Sequence, residues 1–180
     1  MLTVTRQFDA RRLVPSDIWE HMDYLFAAAC RSPEPRIIEL GTRTGNSTSA
    51  FLAAIEHLGA GHLWSVDIDA PKVPPGWLDL PSWTFTRGDD TAGEIVDWHR
   101  EHAAPADLLF IDTSHLYQHT MDELRLWIPL LHSRGTVLLH DTEWERREVA
   151  QALDDFCPAN GLTWVNHPGC NGLGEIRLGG

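Results

Sequence analysis

"RIIELGTRTGNSTSAFLAAIEHLG", residues 36–59, decides the fold. Residues 36–40 are an apolar, β-branched run and read as a strand. Residues 46–59 place Phe51, Ala54, Ile55 and Leu58 on one side of a helix, with Gly59 as its stop signal. Between them lies a loop with glycines at 41 and 45. Gly41 permits a tight turn, and Gly45 lets a ligand approach the backbone and the helix N-terminus. A strand, a glycine loop and a helix form the opening unit of a parallel α/β sheet. The spacing is G-x-x-x-G and not the G-x-G-x-x-G of dinucleotide binding, which disfavours an NAD-dependent oxidoreductase.

The same alternation continues outward. Strands are expected at 62–68, 83–88, 107–111 and 136–140. Helices are expected at 91–102, at 116–132 with an interruption near Pro129, and at 143–157. Residues 71–81 hold too many prolines for a regular helix. Upstream, residues 16–31 read as a helix with Ser16 as N-cap and Ile18, Met22, Leu25, Phe26 and Ala29 on one face. Two last strands, 162–166 and 173–178, are joined by "HPGCNG" without a helix, so they should form an antiparallel pair at one edge. The expected fold is α/β, a single-domain Rossmann-like sheet with helices on both faces and an antiparallel C-terminal strand pair. One domain spans 1–180, with an N-terminal helical segment (1–35) and a Rossmann-like core (36–180).

Composition narrows the function. The net charge is −12 and Lys72 is the sole lysine, so nucleic acid is an unfavourable partner. No apolar run nears the roughly 20 residues of a membrane helix, and the N-terminus has no apolar signal core, so a cytoplasmic location without membrane partners is expected. Cys30, Cys157 and Cys170 form no C-x-x-C and read as reduced thiols, with Cys170 the one expected at the surface. Most of the eight tryptophans should be core or pocket wall.

In open α/β sheets, ligands bind beyond the carboxyl ends of the strands. Each strand here runs out into polar residues: the 41–47 loop, then Asp67 and Asp69, then Gly88, Asp89 and Asp90, then Asp112 and His115, then His140 and Asp141. Asp67 lies 22 residues beyond Gly45, where an acid can accept hydrogen bonds from a ribose diol. "LLFIDTSHLYQHTMDEL", residues 108–124, ends an apolar strand in Asp112, with His115, Tyr117 and His119 close behind. These polar groups either cap loops and helix ends or carry the chemistry.

On these motifs the chain resembles the class I S-adenosylmethionine-dependent methyltransferases. Within them it is similar to metal-dependent small-molecule O-methyltransferases of the catechol type and to an antibiotic-tailoring group that includes cephalosporin-hydroxylase-like and sugar O-methyltransferases. "IIELGTRTGNSTSAFL" matches the first motif, E-L-G-x-x-x-G-x-S, and implies that Glu39, Gly41, Gly45 and Ser47 surround the methionine part of the cofactor. "LWSVDID" implies Asp67 on the ribose, and "RGDD" implies Asp89 or Asp90 near the adenine. "LLFIDTSHLY" and "GTVLLHDT" imply metal ligands at Asp112 and Asp141. The chain departs from the catechol type in two places. His115 stands where a lysine serves as general base, and Thr142 stands where an amide ligates, with His140 on the other side of Asp141 as a further ligand candidate.

The resemblance implies an O-methyltransferase that uses S-adenosyl-L-methionine, with a divalent metal such as Mg²⁺, on a hydroxyl of a small metabolite. A hydroxyl is a poor nucleophile at neutral pH. An ion held by Asp112 and Asp141 would lower its pKa, and the His115 imidazole could take the proton. A histidine ligand would tilt the choice from Mg²⁺ or Ca²⁺ toward Mn²⁺, Fe²⁺ or Zn²⁺. The alternative is a tailoring enzyme that uses the same metal and His115 for cyclisation or hydroxylation. The acceptor is expected to meet 71–83 and 142–148. Whether the chain forms a homo-oligomer stays open.

Overall fold

The structure, a computed structural model, describes residues 3–179. Seven strands form one sheet: β1 (Arg36–Leu40), β2 (His62–Asp67), β3 (Trp83–Arg87), β4 (Ala106–Ile111), β5 (Leu131–His140), β6 (Trp164–His167) and β7 (Leu173–Arg177). Their order is β3-β2-β1-β4-β5-β7-β6. The first five are parallel, and β7 runs antiparallel between β5 and β6. The expected C-terminal pair is present, but its second strand takes the inner place. Burial decides this: Leu173 and Ile176 of β7 are fully buried, whereas Val165 of β6 is exposed.

Alternation along the strands feeds two apolar layers. Ile37, Leu63, Leu108 and Phe110 pack with α1 (Val4–Arg11), α2 (Met22–Ala29) and α3 (Asn46–Leu58). Ile38, Leu40, Val66 and Leu109 pack with α4 (Gly93–His102), α5 (Tyr117–Trp127) and α6 (Glu148–Ala159). Helix α3 is buried all the way round from Ser47 to Ile55, because α1 and α2 cover the side away from the sheet.

Several boundaries depart from expectation. Within the expected N-terminal helical segment, the sequence places a helix only at 16–31; α1 is not read from it, since only Val4 and Phe8 of its residues are buried. It is capped by Thr3, which accepts from the Arg6 amide, and tied to α3 by Thr5, whose amide donates to Glu56 Oε2 at 2.8 Å. Ser16 is not a helix cap: its Oγ accepts from the Ile18 amide at 3.4 Å, a 3₁₀ turn succeeds it at Trp19–His21, and the α-helix begins at Met22. The helix expected over 116–132 ends already at Trp127, the interruption near Pro129 is a 3₁₀ turn at Ile128–Leu130, and β5, expected from 136, begins at Leu131 with a register shift against β4. The helix expected from 143 begins at Glu148, because Glu145 and Arg147 adopt left-handed backbone (φ 35° and 56°). All three cysteines are free, and Cys170 is half-buried. Among the described residues, no helix is long and apolar enough to cross a membrane.

Candidate active site

The glycine loop brings the strand ends together. Asp112 donates its amide to Leu40 O at 2.8 Å, and Gly41 donates to Val66 O at 2.8 Å. Gly41 has φ 89°, and a Cβ there would run into the Asp112 carbonyl. Gly45 (φ 77°) serves a different contact: a Cβ there would lie 2.7 Å from Val73 Cγ1 and 3.4 Å from Trp77 Cζ3. The backbone approach at Gly45 is therefore made by the 71–81 segment of the same chain.

Asp67 anchors this loop. Its Oδ2 accepts from the amides of Thr42 and Arg43 at 2.8 and 2.9 Å, and its Oδ1 accepts from that of Asp69 at 2.9 Å. Beneath the loop, Glu39 is wholly buried. Ser47 Oγ and Ser65 Oγ donate to it at 2.7 and 2.6 Å, and Thr48 Oγ1 lies 2.9 Å from Oε2. Trp83 Nε1 donates in turn to Ser65 Oγ at 2.8 Å. Burial, working against these hydroxyl donors, raises the Glu39 carboxyl to about 7.

That shift has a sign. Between its unfolded value near 4.5 and its folded value near 7, Glu39 keeps its proton only in the folded state. Its stabilising contribution is full below about pH 4.5 and is lost as the pH rises to about 7, on the order of 3 kcal/mol in all. Glu39→Gln should flatten this part of the pH–stability curve, so melting temperatures of both proteins at about pH 5 and about pH 7.5 check it. Parallel pH dependences would contradict it.

A cleft of roughly 410 Å³ opens above the loop. Of the residues expected around a cofactor, Gly41, Asp67, Asp89 and Asp90 line it, and so does Asp112. Glu39, Gly45 and Ser47 do not; they hold the loop from below and behind. Asp89 accepts from the Thr91 hydroxyl and amide at 2.6 and 2.8 Å, which holds its carboxyl below the usual range. The backbone carbonyl of Asp90 accepts from Trp127 Nε1 at 2.9 Å.

At one end of the cleft, β4 and β5 bring two acids together. His115 Nε2 lies 2.8 Å from Asp141 Oδ2 and 3.4 Å from Asp112 Oδ1. His140, fully buried, turns Nδ1 toward the same oxygens at 3.1 and 3.2 Å. Its Nε2 faces the carbonyls of Cys170 and Asp17 at 2.8 and 3.1 Å and must donate to them. Burial opposes charge on both imidazoles, but bonding to Asp112 and Asp141 outweighs it, holding His115 at about 9 and His140 at about 11. Burial works to raise the two carboxyls; the imidazoles bring both below the usual range. His115 (φ 58°) and Asp141 (φ 64°) sit in left-handed backbone, strain of the kind that concentrates at functional sites. Thr142 turns away: its hydroxyl donates to Asn166 Oδ1 at 2.6 Å.

A smaller pocket of roughly 150 Å³ lies beside His115, bordered by Leu116, Trp144 and Arg146. The 142–148 segment thus flanks the site as expected. The 71–83 segment does not line either cavity, and its Trp77 and Trp83 are buried. Sequence reading missed one further grouping. His119, on α5, has Nε2 3.0 Å from Asp90 Oδ1 and 3.5 Å from Glu123 Oε1. These partners hold it at about 10, while burial raises Glu123 to about 7. The i, i+4 spacing of His119 and Glu123 was the available signal.

Solved structures share this architecture. The MycE methyltransferase from the mycinamycin biosynthetic pathway, in complex with Mg and SAH, aligns with a TM-score of 0.69 at 17% identity over 99% of this chain and 55% of its own. This chain therefore spans little more than half of that protein. CalS11, a TDP-rhamnose 3'-O-methyltransferase of calicheamicin biosynthesis, aligns at 0.67 and 15% identity over 98% of this chain and 94% of its own. TomG, an O-methyltransferase from Streptomyces achromogenes involved in tomaymycin synthesis, in complex with SAM, aligns at 0.67 and 16% identity over 99% and 87%. No curated protein matches the chain. The family model described as a methyltransferase domain matches residues 38–142, from β1 to the residue after Asp141. With more than half of its length so matched, and with this sheet order and glycine loop, the chain belongs to the methyltransferase-domain family.

Proposed function

We propose that the protein transfers a methyl group from S-adenosyl-L-methionine to a hydroxyl of a small molecule, with a divalent cation held by Asp112, Asp141 and His115. The observation that carries this reading is the convergence of those three side chains, from the ends of β4 and β5, at the edge of the acidic cleft. Their ligand atoms all lie within 4.8 Å of one another, and two carboxylates with one imidazole are a donor set for a divalent cation such as Mn²⁺. Such a cation, when bound, would orient the acceptor hydroxyl and lower its pKa.

The chain's own residues supply the rest. Asp67 fixes the glycine loop through the Thr42 and Arg43 amides and retains lone pairs for a ribose diol. Asp90 offers an acceptor at the cleft wall for an exocyclic amine. His140 sits under the two acids as a buried counter-charge and keeps them in place. His115 Nε2 lies 2.8 Å from Asp141 Oδ2 and 3.4 Å from Asp112 Oδ1, so in its neutral form it can join both acids on one cation, and a ligand role suits it. Leu116 and Trp144, half-exposed beside His115, offer an apolar edge for the acceptor.

Asp67→Ala is expected to weaken S-adenosylhomocysteine binding by about ten- to a hundredfold, the size of a lost charge-assisted hydrogen bond. Unchanged affinity in the folded variant would remove Asp67 from the cofactor site. The reaction itself is tested by mass: incubation with S-adenosyl-L-methionine and hydroxylated aromatic or sugar acceptors should yield products heavier by about 14 Da, one methylene. A product of cyclised or hydroxylated mass instead would favour the alternative chemistry.

A further inference from the structure

His119 and Glu123 are not used by the proposed reaction, and their geometry with Asp90 at the cleft wall is unusual. Glu123 is wholly buried and Asp90 is 8% exposed. Thr113 Oγ1 donates to Glu123 Oε1 at 2.6 Å and so fixes that carboxylate. Its other oxygen, Oε2, has no hydrogen-bond partner, and neither has Asp90 Oδ1. Asp90 Oδ1 lies 3.0 Å from His119 Nε2, yet off the direction in which the ring nitrogen could donate. Asp90 Oδ1 thus faces the imidazole nitrogen without being satisfied by it, and the Glu123 carboxylate that reaches the same nitrogen through Oε1 keeps its buried Oε2 unpartnered. A buried oxygen in that state costs about 1–3 kcal/mol, and more when charged. The single N–H at His119 Nε2 faces Asp90 Oδ1 and Glu123 Oε1 and can satisfy only one of them, and Glu123 Oε2 is beyond its service.

We propose that Asp90, His119 and Glu123 form a second divalent-cation site, in the wall of the cleft and separate from Asp112, Asp141 and His115. The three ligand atoms lie within 4.8 Å of one another, so one ion can reach all three. An imidazole nitrogen beside two carboxylates selects Mn²⁺ or Zn²⁺ over Ca²⁺. Asp90 and His119 both border the cleft, so the ion keeps a side open to it.

The test is the Mn²⁺ stoichiometry of the full chain after EDTA treatment, measured by calorimetry without cofactor. The wild type should bind two equivalents. Glu123→Gln should weaken one of them at least about tenfold, the loss of one charged ligand, and leave the other. His119→Ala, at a partly exposed side chain, should do the same and decides the matter if the buried substitution prevents folding. The proposal is overturned by a single equivalent that disappears in Asp141→Ala, by no binding, or by two equivalents that neither variant disturbs. Because ions alone are counted, failure here leaves methyl transfer untouched, and an inactive enzyme leaves this site testable.

Discussion

Asp141→Ala is expected to lower methyl transfer by at least about a thousandfold, the equivalent of some 4 kcal/mol of transition-state stabilisation, while S-adenosylhomocysteine still binds. The expectation rests on where Asp141 sits. It closes β5 in a left-handed conformation, within 2.8 Å of His115 and 3.1 Å of His140. Thr142 cannot stand in for it, being committed to Asn166. Cofactor affinity should survive because the cleft is lined by Gly41, Asp67, Asp89 and Asp90, and Asp141 is not among its lining residues. The variant should also melt earlier, because His140 keeps its buried charge with one anion fewer. Turnover measured by methylated product, beside calorimetry with S-adenosylhomocysteine, separates the two effects. Turnover within about tenfold of wild type would remove Asp141 from the mechanism.

Gly41→Ala carries the largest expected effect on stability, a loss of at least about 3 kcal/mol, or roughly 6–12 °C in melting temperature for a chain of this size. Two costs combine. At φ 89° an L-residue is strained, and the new Cβ would collide with the Asp112 backbone carbonyl. That carbonyl cannot easily retreat, because the Asp112 amide is bonded to Leu40. Any relief would shift Asp112 itself, so the folded remainder should also bind divalent cations more weakly. A melting temperature within a degree or two of wild type would contradict the close approach of β1 and β4 at this point.

Residues 36–59 disclosed the fold because each part has one good solution: an apolar strand buried on both faces, a turn that needs glycine, and a helix ended by glycine. The acids of the site were legible for a related reason. A carboxylate just after an apolar strand of a parallel sheet can only lie at the carboxyl rim, so Asp67, Asp89, Asp90, Asp112 and Asp141 were placed by topology. Residues acting at a distance from the rim were not legible. Glu39 and Ser47 belong to the same motif as Gly41, but only three-dimensional packing shows that they bond to each other beneath the loop. Gly45 looked like a ligand-approach glycine, and its neighbour proved to be Val73, remote in sequence. Helix α1 escaped notice because two buried side chains make a weak periodic signal, and its stability comes from packing on α3. Glu123 escaped because a single acid on an amphipathic helix reads as surface until the helix is docked.

Everything proposed for the reaction depends on the cleft above the glycine loop being an S-adenosyl-L-methionine site. Isothermal titration of the wild-type chain with S-adenosylhomocysteine, and separately with NAD, decides that point. One equivalent of S-adenosylhomocysteine should bind, with no measurable heat from NAD and an affinity that falls with Asp67→Ala. Absence of S-adenosylhomocysteine binding by the folded protein, or preferential binding of NAD, would contradict it.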